Sequence, residues 1–216
     1  MNLKEKFPGV FLLDGKLCTL AQNKDFRPFG EQIISGYRLW DPNRSKLGAS
    51  IMKGIRAMPI KKGDTVLYLG IAHGFTASFV SDIVGANGII YGIEFSDRCF
   101  RELLPVAEKF KNIVPMLADA RMPEKYGIFE KVDVVFCDIA DPQQTEVAIR
   151  NCKAFLKPEG FLMLSIKTQS IDVAGKPSEI LEGELKKLEK EKFEIIDWKN
   201  LEPFEEKHFF IIAKMR

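Results

Sequence analysis

The sequence has few of the residues that build metal centres and disulfide frameworks. It holds 4 cysteines and 2 histidines in 216 residues. Cys18, Cys99, Cys137 and Cys152 are far apart, and the sequence has no C-x-x-C pair and no histidine cluster. Neither a zinc site nor a set of disulfides is therefore indicated. Cys137 lies in the apolar run VDVVFCDI, where a cysteine is more often an inert core residue than a nucleophile.

Long apolar runs are also absent. No stretch approaches the roughly 20 residues that span a bilayer, and the N-terminal MNLKEKFPGV lacks the apolar core of a signal peptide. We therefore expect a cytoplasmic protein without a membrane partner. A hydrophobic composition of 46% in 216 residues is enough to bury one substantial core and to carry a small appendage.

The charge is small in sum but uneven along the chain. Residues 1–62 hold 12 Lys and Arg against 5 Asp and Glu, a net of +7, and the remainder holds 20 against 25, a net of −5. The basic first part indicates a side that faces a polyanion. Basic side chains that are simply solvated would give the same count.

The stretch DTVLYLGIAHGFTAS, residues 64–78, predicts a strand, a loop and a helix in succession. Residues 65–69 are continuously apolar or β-branched, as in a parallel strand buried on both faces. Gly70 and Gly74 allow a tight turn whose N–H groups approach a ligand, and Thr76 is a candidate N-cap for a helix that stops at Gly85. Doubly wound sheets bind nucleotide-like ligands at such a turn, although a lone G-x-x-x-G is weak support.

Glu94 strengthens that interpretation. It ends a second predicted strand, residues 89–93, and follows Gly70 by 24 residues. At about this spacing a carboxylate accepts hydrogen bonds from the ribose hydroxyls of a bound nucleoside. The alternative is a surface glutamate at a strand end, which the loop upstream makes less favoured.

The rest of the chain alternates strands with helices. Predicted strands follow at 113–117, 132–136, 161–166, 193–197 and 208–213, and predicted helices at 45–58, 99–111, 143–156 and 178–192. The last two strands have no helix between them, which predicts an α/β fold with a seven-stranded, mostly parallel sheet closed by an antiparallel hairpin. That hairpin is typical of S-adenosylmethionine-dependent methyltransferases with their Rossmann-like fold, and it disfavours a nicotinamide dehydrogenase. Short apolar pieces separated by DG, QNKD and RPFG predict a small β-rich domain at 1–44, ahead of a methyltransferase domain at 45–216.

Seven segments together resemble one family over nearly the whole length. They are YRLWDPNRSKLGASI, YLGIAHGFTASFVSD, GIEFSDR, NIVPMLADAR, CDIADPQQ, MLSIKTQSID and NLEPFEEKHFFIIA, in that order. The chain resembles fibrillarin, the 2′-O-methyltransferase of box C/D guide RNA particles. It is similar to the short archaeal form, since no Gly/Arg-rich extension precedes these segments. It departs from the family at Ile71, His73 and Phe75, where small residues are usual.

The resemblance implies a catalytic group of Lys46, Asp138 and Lys167, with His208 near them. The residues themselves support Asp138 and Lys167, because both end predicted parallel strands on the edge that carries Gly70 and Glu94. A helix N-cap, a surface ion pair and a structural histidine are the plain alternatives for Asp138, Lys167 and His208. A lysine whose pKa is lowered by burial and by a nearby cation would be the base for the ribose hydroxyl, and the carboxylate would orient that lysine or take the proton itself.

The resemblance also implies S-adenosylmethionine as the cofactor and requires no metal. Asp119 suits the adenine amino group, with the Ala120 backbone beside it, and Tyr68 and Phe95 suit packing against the cofactor. The full set of cofactor-binding positions is Tyr68, Gly70, Ala72, Thr76, Ala77, Glu94, Phe95, Asp119, Ala120, Asp138 and Gln143.

The implied function is transfer of a methyl group to ribose 2′-hydroxyls of rRNA, with tRNA as a further class of target. The implied partners are the box C/D guide RNA, the target RNA, a Nop-domain scaffold protein and a kink-turn-binding ribosomal-type protein. Two alternatives are a methyltransferase for a protein or small molecule and a non-catalytic assembly subunit. The basic first third disfavours the former, and the intact set of Lys46, Asp138 and Lys167 disfavours the latter.

Overall fold

Two β-sheets and the helices around them form the structure, a computed structural model that describes residues 2–127 and 130–216. The N-terminal sheet is antiparallel, with strand order β1-β2-β3-β5-β4. Its strands are β1 (Leu3–Phe7), β2 (Val10–Leu13), β3 (Lys16–Leu20), β4 (Ile33–Ile34) and β5 (Tyr37–Leu39). The predicted N-terminal β structure is therefore present.

The second sheet has seven strands in the order β11-β12-β10-β9-β6-β7-β8. They are β6 (Thr65–Leu69), β7 (Ile89–Glu94), β8 (Ile113–Leu117), β9 (Val132–Cys137), β10 (Leu156–Lys167), β11 (Phe193–Asn200) and β12 (His208–Met215). Strands β6 to β10 pair in parallel, and β12 runs antiparallel to β10 and β11. The predicted mostly parallel sheet with an antiparallel C-terminal hairpin is confirmed.

Helices cover both faces of this sheet. They are α1 (Lys46–Met52), α2 (Phe75–Val84), α3 (Asp97–Lys109), α4 (Gln144–Phe155), α5 (Thr168–Ile171) and α6 (Pro177–Lys190). All five residues of β6 are buried, as expected for a central strand covered on both sides. Among the described residues, no helix is long and apolar enough to cross a membrane.

Most boundaries shift by one to three residues from the sequence prediction, and three of the differences have an identifiable local cause. Helix α1 ends at Met52 and not at residue 58, because Gly54 takes a left-handed φ of +80° that ends the helical turn. Helix α2 is capped by Gly74, at φ +87°, and not by Thr76. Strand β10 begins at Leu156, five residues earlier than predicted. Leu156 already pairs with β9, and the register between the two strands is irregular from there to Phe161.

The N-terminal sheet is fastened to the large one through α2. Trp40 stacks flat on Phe79, with ring centroids 4.8 Å apart. Arg38 is fully buried and forms ion pairs with Glu31 at 3.0 Å and with Asp82 of α2 at 2.9 Å. These contacts join the two sheets in one core. The division into domains at residues 44 and 45 stays a prediction.

Candidate active site

The loop between β6 and α2 passes very close to the end of β9. Gly70 has φ +76°, and a Cβ atom there would lie 2.5 Å from the carbonyl oxygen of Asp138. Gly74 has φ +87°, and a Cβ atom there would lie 2.7 Å from Leu103 Cδ1. Only glycine meets both the conformation and the space at these positions. The two glycines therefore hold the loop between β9 and α3.

Glu94 holds the same loop from the other side. Its carboxylate is at the end of β7, and the residue is 5% exposed. One carboxylate oxygen accepts the backbone N–H of Ala72 at 2.9 Å, and the other accepts the N–H of Ser96 at 2.8 Å. A carboxylate has about four lone-pair sites, so acceptor capacity remains after these two bonds. Glu94 therefore both shapes the loop and presents an acceptor at the sheet edge.

The bulky loop residues each contact a different neighbour. The side chain of Ile71 is buried beside Gly92 on β7, in space that a Cβ atom on Gly92 would occupy. Phe75 packs edge-on against Phe29 and Phe79, with centroid distances of 5.3 and 5.4 Å. His73 Nε2 lies 3.4 Å from a carboxylate oxygen of Glu102. The departures from small residues are thus fitted into the surrounding structure.

Two cavities open on either side of this loop, and they share Gly70, Ala72 and Asp138. We call the first the carboxylate cavity; its volume is about 530 Å³, and its lining includes Glu94, Phe95, Ser96, Asp119, Ala120, Arg121 and Asp141. We call the second the lysine cavity; its volume is about 740 Å³, and its lining includes Phe26, Phe29, Arg44, Lys46, Tyr68, His73, Phe75, Thr76 and Glu102.

In the carboxylate cavity, Asp119 is engaged by Arg121. Arg121 Nη2 lies 2.6 Å from Asp119 Oδ2, and Nε lies 3.0 Å from both carboxylate oxygens. These hydrogen bonds lower the pKa of Asp119, against the opposing effect of its partial burial. Phe95 is 76% exposed, so its ring is free to pack against a ligand. Arg121 was not among the predicted site residues, although it stands two residues from Asp119.

In the lysine cavity, Lys46 and Asp138 form an ion pair. Lys46 Nζ lies 3.1 Å from Asp138 Oδ1 and 3.2 Å from Oδ2, and the two side chains are 24% and 20% exposed. Burial alone would lower the pKa of Lys46, but the charge of Asp138, its hydrogen bond to Lys46 and the charge of Glu205 together raise the pKa. The expectation of a lysine whose pKa is lowered by burial is therefore wrong for Lys46.

The start of α1 is fixed by two hydroxyl groups. Ser45 caps α1 by accepting the N–H of Gly48 at 3.1 Å, and Thr76 of α2 donates to the Ser45 hydroxyl at 2.9 Å. Tyr68 lies nearby and stacks on Phe136 at 4.4 Å. Burial, and then the charge of Asp138, raises the pKa of the Tyr68 phenol well above its usual range. Thr76 thus acts between two helices and not as an N-cap.

Lys167 and His208 lie opposite each other on β10 and β12, beside the strand β9 that ends before Asp138. They are paired in the register of β10 and β12, and the His208 ring Nδ1 lies 2.7 Å from the carbonyl oxygen of Glu206. The amide side chain of Gln144 accepts the Lys167 N–H at 3.0 Å and donates to the Lys167 carbonyl at 3.2 Å. Both residues lie at the same sheet edge as Asp138, but neither lines either cavity.

Two other predicted positions also lie outside the cavities. Ala77 is buried within α2, and Gln143 is exposed just before α4. Their assignment to the cofactor stays a prediction. Conversely, Arg44, Phe26 and Phe29 line the lysine cavity without having been singled out. The one signal for Arg44 was the basic character of the first 62 residues, and no sequence signal pointed to the two phenylalanines.

The fold and the site define a class of protein. The sheet order, the antiparallel β12 beside β10, the glycine loop after β6 and the acid at the end of β7 are those of S-adenosylmethionine-dependent methyltransferases.

The family follows from comparison with known proteins. The family model described as Fibrillarin matches residues 1–216, and the chain belongs to the fibrillarin family. The chain is 48% identical over 222 residues to the fibrillarin-like rRNA/tRNA 2′-O-methyltransferase of Pyrococcus furiosus, with 98% of this chain and 97% of that protein covered.

Two solved structures are closely similar. Aeropyrum pernix fibrillarin, in complex with natively bound S-adenosyl-L-methionine, matches with a TM-score of 0.90 at 42% identity, covering 99% of this chain and 98% of that one. The fibrillarin of a fibrillarin/Nop5p complex matches with a TM-score of 0.91 at 41% identity, covering 97% and 98%.

Proposed function

We propose that this chain is the methyl-transferring subunit of a box C/D guide RNA particle, acting on ribose 2′-hydroxyls of rRNA and tRNA. The observation that carries the proposal is the position of Asp138, which lines both cavities and is paired with Lys46. A reacting group at that point meets a cofactor on one side and a substrate on the other. Family membership and a curated relative of this activity support the reaction.

The residues of the site fit S-adenosylmethionine. The close approach of Gly70 to Asp138 leaves the loop backbone open to a ligand, and the buried Glu94 keeps free lone pairs for ribose hydroxyls. Phe95 offers an exposed ring, and Asp119 with Ala120 lines the far end of the carboxylate cavity. When bound, the cofactor supplies a methyl group on a positively charged sulfur.

The ion pair supports one division of the proton roles. Because the pKa of Lys46 is raised, this side chain is an ammonium at neutral pH and is no proton acceptor. Asp138 would then accept the proton of the 2′-hydroxyl as that oxygen attacks the methyl group, whose bond to sulfur would break with the electron pair left on sulfur. Lys46 would hold the carboxylate in place. Most of the rate comes from holding oxygen and methyl group in line at the junction of the two cavities.

The partners are part of the same proposal. A related fibrillarin was solved in complex with Nop5p, which supports a Nop-domain scaffold for this chain. The guide RNA, the target RNA and the kink-turn-binding ribosomal-type protein complete the particle that we propose. The chain carries a net charge of only +2, which provides few phosphate contacts for tight RNA binding on its own.

The test is methyl transfer from labelled S-adenosylmethionine to RNA at physiological salt. We expect site-specific methylation by the chain reconstituted with guide RNA and its two partner proteins, and little by the chain alone. A guide RNA with a changed antisense sequence is the control, and the labelled nucleotide should move with it. Robust, sequence-selective methylation by the isolated chain, or no transfer to RNA in the particle, would contradict the proposal.

A further inference from the structure

Arg44 stands at the lysine cavity with an unusual set of contacts. It is an exposed residue two positions before Lys46, and its guanidinium carbon lies 4.3 Å from the centroid of the Phe75 ring. Its Nη1 donates to the carbonyl oxygen of Phe29 at 3.1 Å, and the Phe29 ring lies 6.0 Å away. The aromatic face and the carbonyl oxygen hold the guanidinium in a fixed place despite its exposure.

The charge of Arg44 is not matched by a carboxylate. Among the residues that the structure describes, the other acidic and basic side chains of this cavity lie next to each other in two pairs, Lys46 with Asp138 and His73 with Glu102. No carboxylate of the described chain lies within ion-pair distance of the Arg44 guanidinium. A guanidinium has five N–H donors, and the carbonyl of Phe29 uses one. The remaining donors form a fork of the kind that binds phosphate oxygens.

We infer that Arg44, on the platform of Phe75 and Phe29, is a binding site for a phosphodiester of the target RNA next to the ribose that is methylated. The inference rests on the proposed function and names a contact of that same site. In RNA, every 2′-oxygen lies beside the phosphodiester carried by its own ribose. A 2′-oxygen placed at Asp138 therefore brings a phosphate to the cavity that Arg44 lines. Such a contact positions the strand and reads no base.

The aromatic platform distinguishes this site from a solvated arginine. Phe75 is one of the bulky loop residues, and its ring meets Phe29 edge-on at 5.3 Å while its face lies under Arg44. Phe29 comes from the N-terminal segment and Phe75 from the first turn of α2. The site therefore forms only where the N-terminal sheet meets the cofactor loop. Its position explains part of the basic character of the first 62 residues.

The experiment compares Arg44→Gln, Arg44→Lys and Lys4→Gln in the reconstituted particle. Lys4 is an exposed residue of β1 that lines neither cavity, so its replacement removes the same charge elsewhere. We expect Arg44→Gln to lower the single-turnover methylation rate on the order of 10- to 100-fold at low salt. Arg44→Lys should recover part of that loss, and Lys4→Gln should stay near the wild-type rate.

Salt dependence separates a phosphate contact from a structural role. Salt weakens contacts between cations and phosphates, so the ratio of wild-type to Arg44→Gln rates should fall toward 1 as salt is raised. Cofactor affinity of the isolated chain should be the same for all variants. A ratio that is constant with salt, or equal behaviour of Arg44→Gln and Lys4→Gln, would overturn the phosphodiester site while leaving the methyltransferase intact. An inactive wild-type particle would overturn the proposed function, and this site with it.

Discussion

The carboxylate cavity and the lysine cavity lie on either side of one loop but are built from different parts of the chain. The carboxylate cavity is lined by residues between Gly70 and Asp141, from the seven-stranded sheet, its loops and the first turn of α3. The lysine cavity takes Phe26, Phe29, Arg44 and Lys46 from before that sheet begins. The first therefore needs only the methyltransferase sheet, whereas the second exists only when the N-terminal segment is packed against it.

Asp138 belongs to both cavities, and its replacement should have the largest effect. Asp138→Asn keeps the shape but removes the proton acceptor, so single-turnover methylation in the particle should fall by roughly 10²- to 10⁴-fold. Cofactor affinity, measured by calorimetric titration, should fall far less. The matched control is Asp141→Asn, a carboxylate of the carboxylate cavity only, which should keep a near-normal rate. A small rate loss in Asp138→Asn would remove Asp138 from the chemistry.

The next largest effect should come from separating the two regions. Arg38→Met leaves Glu31 and Asp82 buried without their cation, which should lower the free energy of unfolding by about 3–5 kcal/mol. At a temperature where the variant is folded, methylation should suffer and cofactor affinity should not, because residues 26–46 do not line the carboxylate cavity.

The control for this variant is Arg56→Met. Arg56 pairs with Asp197 at 3.4 Å, but its side chain is 74% exposed, so we expect at most about 1 kcal/mol of destabilisation by denaturant titration. If cofactor affinity falls together with methylation in Arg38→Met, the two cavities are not separable in the way described.

A third variant should affect the carboxylate cavity and spare the other. Glu94→Gln removes the negative charge that accepts hydrogen bonds from the loop N–H groups and from a bound ribose. Cofactor affinity should therefore weaken by about 1–3 kcal/mol. The rate at saturating cofactor should be nearly normal. Glu108→Gln, at an exposed position of α3 outside both cavities, is the control for calorimetry. Unchanged affinity in Glu94→Gln would take Glu94 out of the site.

The smallest effect should come from Arg121. Its pairing with Asp119 is exposed, so Arg121→Gln should weaken cofactor binding by less than about fivefold at neutral pH. Because the folded-state pKa of Asp119 is lowered, the pair contributes above the ordinary aspartate pKa of about 3.9 and is lost as the pH falls through the lowered value. The difference from wild type should therefore be flat at neutral pH and disappear in acid. A difference that grows in acid would contradict the pairing.

The same comparison explains what the sequence could predict. Gly70 and Glu94 follow buried strands at short spacing, so local patterns were enough to place them at one sheet edge. Lys46 and Asp138 are 92 residues apart, and their pairing was expected only from the family resemblance. The N-terminal sheet packs on α2 and so brings together Arg44, Phe29 and Phe75. The spacing of residues within one segment cannot predict such a contact.

Local patterns also failed where two local signals competed. Thr76 has a good capping side chain, but Gly74 reaches the left-handed conformation at lower cost and the helix starts there. The turn-like Lys157-Pro158-Glu159-Gly160 was expected to separate α4 from β10. It lies within β10 as an irregular stretch, because Leu156 and Phe161 on either side of it both pair with β9.

The packing of Ile71 against Gly92 limits which substitutions the cofactor loop can accept. Any larger residue at position 92 would collide with the Ile71 side chain, and a small residue at position 71 would leave a void beside the glycine. Isoleucine at position 71 therefore fits only together with glycine at position 92. The two positions behave as one inherited unit, so a cofactor loop transplanted from a relative without its partner strand should be defective.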